Sequence, residues 1–276
     1  DTITEDLDLS YRAQLAGWRF RYEHHVIAPA ELPESWAAFR SQQARWVRGS
    51  VETAGLLLPT VLRARQLNFR QRSEALIHLT NNFAYLFMAA LAVLLPAAVV
   101  LRDQLGWRVP GGQVLLSGFD VTMLIAGTLA MIVFYGVAAA RCRAGWRILD
   151  LLYALCLGCG MSIANAIEVI RGLRSRRSEF VRTPKRGTAT GTKALTTYRS
   201  PIKIDLLAIE LFMTLYYAAA AAYALYFSLW GALPFMVMYL IGFGSVAVAT
   251  VFESAIRSRR TIEVATDGLP SERQLS

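Results

Sequence analysis

Apolar residues are bunched along this chain. Four long runs, 77–101, 119–140, 204–228 and 232–252, carry few charges. Each reaches the roughly 20 residues that a helix needs to cross a bilayer. A fifth stretch, 149–170, starts apolar from Leu149 to Cys159 and turns amphipathic around Asn165, Glu168 and Arg171. That change of period predicts an interfacial or re-entrant helix over 149–175 in place of a further span. Ahead of the runs the pattern is helical and polar. Leu7, Tyr11 and Leu15 recur every fourth residue over 5–16. Thr4 is placed to cap this helix, Asp8 to pair with Arg12, and Gly17 to occupy C′. From Trp18 to Ile27, aromatic residues alternate with Arg19, Arg21 and Glu23, which predicts an extended segment, and Pro29 to Pro33 predicts a turn. A second helix is expected from Glu34, with Trp36, Phe39, Gln43 and Trp46 at helical spacing. Residues 50–66 set Leu56, Leu57, Leu58, Val61 and Leu62 against Arg63 and Arg65, and are expected to lie on the membrane surface.

Charge orients these elements. The net charge is +9 and the chain is 55% hydrophobic with positive mean hydropathy. The cations sit in short loops between apolar runs, as cytoplasmic loops do. The loop 171–203 holds ten Lys and Arg, from Arg171 to Lys203, against Glu179 alone. Placing 149–175 as a span would put that loop outside, against the positive-inside rule. The chain is therefore expected to have four spans in the plasma (inner) membrane, with both ends cytoplasmic. No basic face interleaved with aromatics points to a nucleic-acid partner; the bilayer is the partner that composition implies. Cys142, Cys156 and Cys159 do not suggest a disulfide scaffold. Cys156-x-x-Cys159 reads as small residues packed in a membrane segment.

Candidate chemistry is sparse. On a helix, Gln42, Arg45 and Trp46 share one face and offer an amide, a guanidinium and an indole. An indole stacks on a sugar ring, and Arg forks onto a diphosphate better than Lys. The competing reading is an interfacial helix anchored by Trp46. Thr4-Glu5-Asp6 puts acids in a first helical turn, where they also serve stability alone. In the basic loop, Phe180, Thr183 and Lys185 suit a lid over a nucleotide, or a merely solvated loop. Within the spans, Glu210 is expected to face a glycan channel or to pair with a neighbouring helix, with Asn82 and Tyr216 as further channel candidates. Adjacent His24 and His25 do not make a metal pair on an extended segment, and His78 reads as interfacial.

The order acid cluster, Gln42-Gln43-Ala44-Arg45-Trp46, then membrane resembles the C-terminal half of processive family 2 glycosyltransferases of the cellulose synthase-like and glucomannan (mannan) synthase-like type. Ser178 to Lys185 is similar to that family's gating loop, F-x-V-T-x-K, with Arg182 in place of the valine. The resemblance implies Asp6 as general base with Glu5 supporting its geometry. It implies Gln42, Gln43, Arg45 and Trp46 at the acceptor and donor, with Trp46 on the terminal sugar and Arg45 on the donor diphosphate. It implies Phe180, Thr183 and Lys185 as a gate. The fold implied is mostly α: the C-terminal fragment of a GT-A type α/β domain followed by a multi-pass helix bundle. The expected division is 1–49 for the transferase domain's end, 50–72 for an interfacial helix, 73–256 for the membrane region with the gating loop at 176–203, and 257–276 for a cytosolic tail. A divalent metal, Mg or Mn, is expected on a D-x-D motif in a missing N-terminal part, since Asp6-Leu7-Asp8 belongs to the first helix. This piece alone is expected to be inactive.

The function expected is inverting transfer from a UDP- or GDP-hexose to a growing β-linked polysaccharide acceptor, with the helices aiding export. A lipid acceptor is the alternative in the same chemistry. A non-catalytic transporter or assembly subunit is the alternative of another class.

Overall fold

A computed structural model describes residues 2–23, 25–33, 35–104, 112–141, 148–174 and 204–267, with the backbone alone for Gln113, Ile204 and 257–267. Every regular element among them is helical. Helix α1 spans Glu5–Leu15, with Glu5, Asp6 and Asp8 at its positive end and the expected Asp8–Arg12 pair at 2.9 Å. It stops as expected at Gly17, whose φ of 94° is open to glycine. Trp18 N–H donates to Ala13 O and Gly17 N–H to Gln14 O, the two bonds of a Schellman stop. Thr4 does not cap with its side chain, contrary to expectation; its hydroxyl is used elsewhere.

The extended segment expected over 18–27 is not a strand, and no strand occurs among the described residues. A strand needs a neighbour for its backbone ladder, and here Trp18, Phe20 and Tyr22 stand exposed. The α/β part of the expected fold is thus not seen, while the mostly α part is.

Helix α2 spans Trp36–Arg63, starting from Ser35, whose hydroxyl accepts from Ala38 N–H at 3.1 Å. The helix is continuous across residue 50 and past Pro59. Val47, Val51, Ala54, Leu57 and Val61 are all buried at helical spacing, so one continuous face is covered and nothing favours a break. Helix α3 spans Phe69–Thr80 behind an Asn68–Gln71 capping box. A 3₁₀ turn, Asn81–Phe83, leads into α4, Ala84–Gln104. Helix α5 is Gly112–Arg141, α6 Ile148–Gly160, α7 Ser162–Arg174, α8 Ile204–Tyr226 and α9 Leu233–Asp267.

Four stretches are long and apolar enough to cross a membrane: Phe69–Gln104, Val114–Arg141, Asp205–Tyr226 and Leu233–Ile256. They overlay the four expected runs. Helices α6 and α7 form a pair bent by 53°, as a broken or re-entrant element does. The bend is held by glycine. A Cβ on Gly160 would lie 2.2 Å from Gly242 O, and one on Gly242 would lie 2.1 Å from Cys156 O, so α6 and α9 touch backbone to backbone. The Ser162 hydroxyl donates to Cys159 O at 2.6 Å, satisfying a carbonyl freed by the break.

The main core joins α4, α6, α8 and α9 through Ala92, Cys159, Met213, Tyr217, Met236, Tyr239 and Phe243. Cys156 and Cys159 are buried free thiols within this packing. A second cluster, Val47, Val51 and Val169 with Phe83, Tyr85 and Leu86, locks α2 against α7 and the start of α4. Helix α5 meets the rest of the chain near its start, where a Cβ on Gly231 would lie 2.7 Å from Ser117 Cα. None of its apolar window is buried in the chain, and the Arg102–Asp120 pair, at 2.8 and 3.1 Å, ties it to α4.

Candidate functional site

Helix α2 carries Gln42, Gln43, Arg45 and Trp46, and three other parts of the chain grip it. The first grip is α1. Gly49 lies one turn beyond Trp46. A Cβ there would fall 2.5 Å from Thr4 Cγ2 and 2.9 Å from Ile3 Cγ1. Glycine therefore lets the start of α1 rest on the α2 backbone. Thr4 Oγ1 and Thr53 Oγ1 share a buried hydrogen bond at 3.1 Å, which accounts for the missing cap. This contact places Glu5 and Asp6, the next residues along, beside the turn that follows Trp46. The far end of α1 is tied down by Tyr11 Oη to His78 Nδ1 at 2.9 Å and by Gln66 Nε2 donating to Leu15 O at 3.2 Å. Burial pushes the Tyr11 phenol up from its ordinary value.

The second grip is α7. A Cβ on Gly172 would lie 3.0 Å from Arg48 O and 3.0 Å from Val51 Cβ, so α2 and α7 meet closely there. Two acids accompany this interface: Glu52 pairs with Arg48 at 3.2 Å, and Glu168 pairs with Arg171. The third grip comes from the last two spans. Arg40 Nη2 lies 2.8 Å from Glu210 Oε1, and Arg40 Nη1 donates to Thr250 Oγ1 at 3.0 Å. Trp36 Nε1 donates to the same hydroxyl at 3.1 Å, and Ala37 N–H donates to Glu253 Oε2 at 2.7 Å.

The candidate residues thus have the following surroundings. Glu5 and Asp6 are exposed, and Asp6 Oδ1 accepts from Leu7 N–H at 2.8 Å. Gln42, Gln43 and Arg45 are half-buried, and Trp46 is 49% exposed despite its apolar ring. The indole is thus open to solvent on α2, one residue after Arg45. Glu210 is 2% exposed, and its Oε1 lies 2.8 Å from Arg40 Nη2 of α2. Tyr216 Oη donates to Val93 O at 3.1 Å, and Asn82 sits half-buried in the 3₁₀ turn. Phe180, Thr183 and Lys185 lie outside the described residues, as does His24.

The described acids do not fit a divalent metal. No group of three or more His, Cys, Asp or Glu among the described residues is placed to hold one. In Asp6-Leu7-Asp8, Asp8 Oδ2 pairs with Arg12 at 2.9 Å.

Sequence reasoning missed Gly49, Thr53, Arg40, Thr250 and Glu253. Gly49, a glycine inside a strong helical pattern, was the one local signal available, since a mid-helix glycine costs about 1 kcal/mol relative to Ala. The others contact residues distant in sequence and carry no local mark.

The model for "Glycosyl transferase family group 2" matches residues 1–140. The chain is similar to glucomannan 4-beta-mannosyltransferase 7 of Arabidopsis thaliana, 28% identical over 70% of this chain and 33% of that protein. It is also similar to glucomannan 4-beta-mannosyltransferase 1 of Oryza sativa subsp. japonica, 37% identical over 30% of this chain and 15% of that protein. The chain thus spans a third or less of the length of these relatives. No solved structure matches it. The family match covers half of the chain, and this chain belongs to the family 2 glycosyltransferases.

Proposed function

We propose that the full-length protein is an inverting glycosyltransferase of the plasma (inner) membrane. It extends a β-linked polysaccharide from a UDP- or GDP-hexose on the cytoplasmic face, and its spans supply the way out. Mannosyl transfer is the first activity to test, because the relatives are named mannosyltransferases. In this reading the acceptor sugar stacks on Trp46. Its hydroxyl proton passes to Asp6 as the new bond forms from that oxygen to the donor's anomeric carbon. The bond from that carbon to the diphosphate breaks, and the nucleoside diphosphate leaves against Arg45. Glu5 supports the geometry of Asp6, and Gln42 and Gln43 bond to sugar hydroxyls. Phe180, Thr183 and Lys185 close over the donor. Residues 1–49 are read as the end of the cytosolic domain, 73–256 as the membrane region and 257–276 as a cytosolic tail.

The observation that supports this reading best is the seat of Ile3 and Thr4 on Gly49 and Thr53. It supports the reading because Glu5 and Asp6 directly follow Thr4 in sequence, and Gly49 is three residues beyond Trp46 on α2.

The test uses the full-length protein in membranes supplied with labelled GDP-mannose, UDP-glucose and their counterparts. The expected product is long, alkali-resistant glycan. The Asp6→Asn variant is expected to lose on the order of 10²–10⁴-fold in rate, the range for general-base catalysis. A product that partitions wholly into organic solvent would make the acceptor a lipid. An Asp6→Asn rate within tenfold of wild type would remove Asp6 as the base.

A further inference from the structure

The reading above leaves Arg40 without a role, yet its surroundings are built. Its guanidinium is largely buried and bridges two helices, reaching Glu210 of α8 at 2.8 Å and Thr250 of α9 at 3.0 Å. The Thr250 hydroxyl donates to Val246 O at 2.8 Å and accepts from both Arg40 and Trp36. Glu253 adds a charged acceptor, 2.7 Å away, to the Ala37 N–H in the first turn of α2, where the helix dipole favours an anion. Trp36 also stacks on Phe39, with centroids 5.5 Å apart, and lies 6.0 Å beneath the Arg40 guanidinium. Four contacts from α8 and α9 therefore converge on one turn of α2.

A buried ion pair is a poor source of net stability, since desolvation offsets most of its attraction, and its best-attested use is to fix register. Register is what this location asks for. Arg40 lies just ahead of Gln42–Trp46 on the same continuous helix and projects about 120° away from Trp46. A shift of α2 along α8 and α9 would break the forked contact and move the indole by the same amount.

We propose that Arg40 is a positioning residue: with Glu210, Thr250 and Glu253 it clamps the start of α2 to α8 and α9. The face bearing Arg45 and Trp46 then keeps one register over the last two spans. The clamp joins the platform that receives the sugar to the helices beside which the product leaves. Its role in transfer rests on the function proposed above; the contact itself does not.

The test has two arms, both on the full-length protein in membranes. In the first, Ala37→Cys and Glu253→Cys are combined and treated with a short bis-maleimide, to which each thiol adds, with each single variant as control. The pair is expected to cross-link between α2 and α9, and absence of the cross-link overturns the clamp. In the second, rates per folded protein are compared for Arg40→Lys, Arg40→Met and Arg40→Met/Glu210→Leu. Arg40→Met leaves a lone buried carboxylate and is expected to lower the membrane level. The double variant, apolar on both sides, is expected to recover that level. Its kcat is expected to stay at least tenfold below wild type, with KM for the nucleotide sugar within twofold, and Arg40→Lys is expected to lie between. A double variant with wild-type kcat would reduce the pair to packing and overturn the positioning role. If wild-type membranes incorporate no sugar, the functional reading fails, while the cross-link and the recovery of level still decide the clamp.

Discussion

Substituting Gly49 by Ala tests the placement of Asp6 most directly. The added Cβ would stand 2.5 Å from Thr4 Cγ2 and 2.9 Å from both Ile3 Cγ1 and Thr4 Oγ1. Carbon atoms rest at about 3.5–4.0 Å, so the start of α1 must withdraw by about 1 Å. Overpacking of this kind costs roughly 1–3 kcal/mol. Replacing a mid-helix glycine by alanine returns about 1 kcal/mol of helix propensity. The net loss is about 0–2 kcal/mol, so the protein should still fold and reach the membrane. Catalysis is far more sensitive, because a misplacement of about 1 Å can cost on the order of 10²-fold in rate. The expected outcome in full-length membranes is a near-normal protein level with sugar incorporation down roughly 30- to 100-fold. Gly55→Ala is the control on the same helix: nothing lies within 4 Å of its added Cβ, and its rate should match wild type. Adding Thr4→Ser to Gly49→Ala removes the closest clashing atom, keeps the hydroxyl for Thr53, and should recover part of the rate. A Gly49→Ala enzyme within threefold of wild type would refute the argument that this contact sets the position of Asp6.

Three further outcomes are expected. Thr53→Val should strand the buried Thr4 hydroxyl and cost roughly 1–3 kcal/mol, read as a lower unfolding midpoint in detergent. Gly242→Ala should abolish stable folding, because its Cβ would meet a backbone carbonyl at 2.1 Å that no rotamer can move aside; the readout is loss of the monodisperse peak in size-exclusion chromatography. Single cysteines at positions 46 and 183 should be labelled by an impermeant thiol reagent from the same side of the membrane, and opposite sides would separate the gate from the acceptor platform.

Much of this architecture was legible because it is local. The apolar runs announced the spans, since a bilayer demands an uninterrupted stretch of a set length whatever surrounds it. The positions of α1, its glycine stop and the Asp8–Arg12 pair followed from residues within a turn or two of each other. The alternation over Trp18–Ile27 marked a non-helical segment, which the structure bears out without a strand. It described a segment able to pair, but a strand exists only where a neighbour supplies the ladder.

What residues next to one another could encode was therefore read from the chain itself: which segments are helical, which are apolar enough for lipid, and which residue types suit a sugar and a diphosphate. Only the tertiary structure decided how these parts meet. It made α2 a single helix through residue 50, because α7 and α3 pack along it. It turned Gly49 from a flaw in a helix into the seat of the acid cluster. It gave Glu210 a partner far away in sequence, Arg40. Contacts of this kind depend on where two distant backbones come to rest, and no local pattern of hydrophobic and polar residues records that distance.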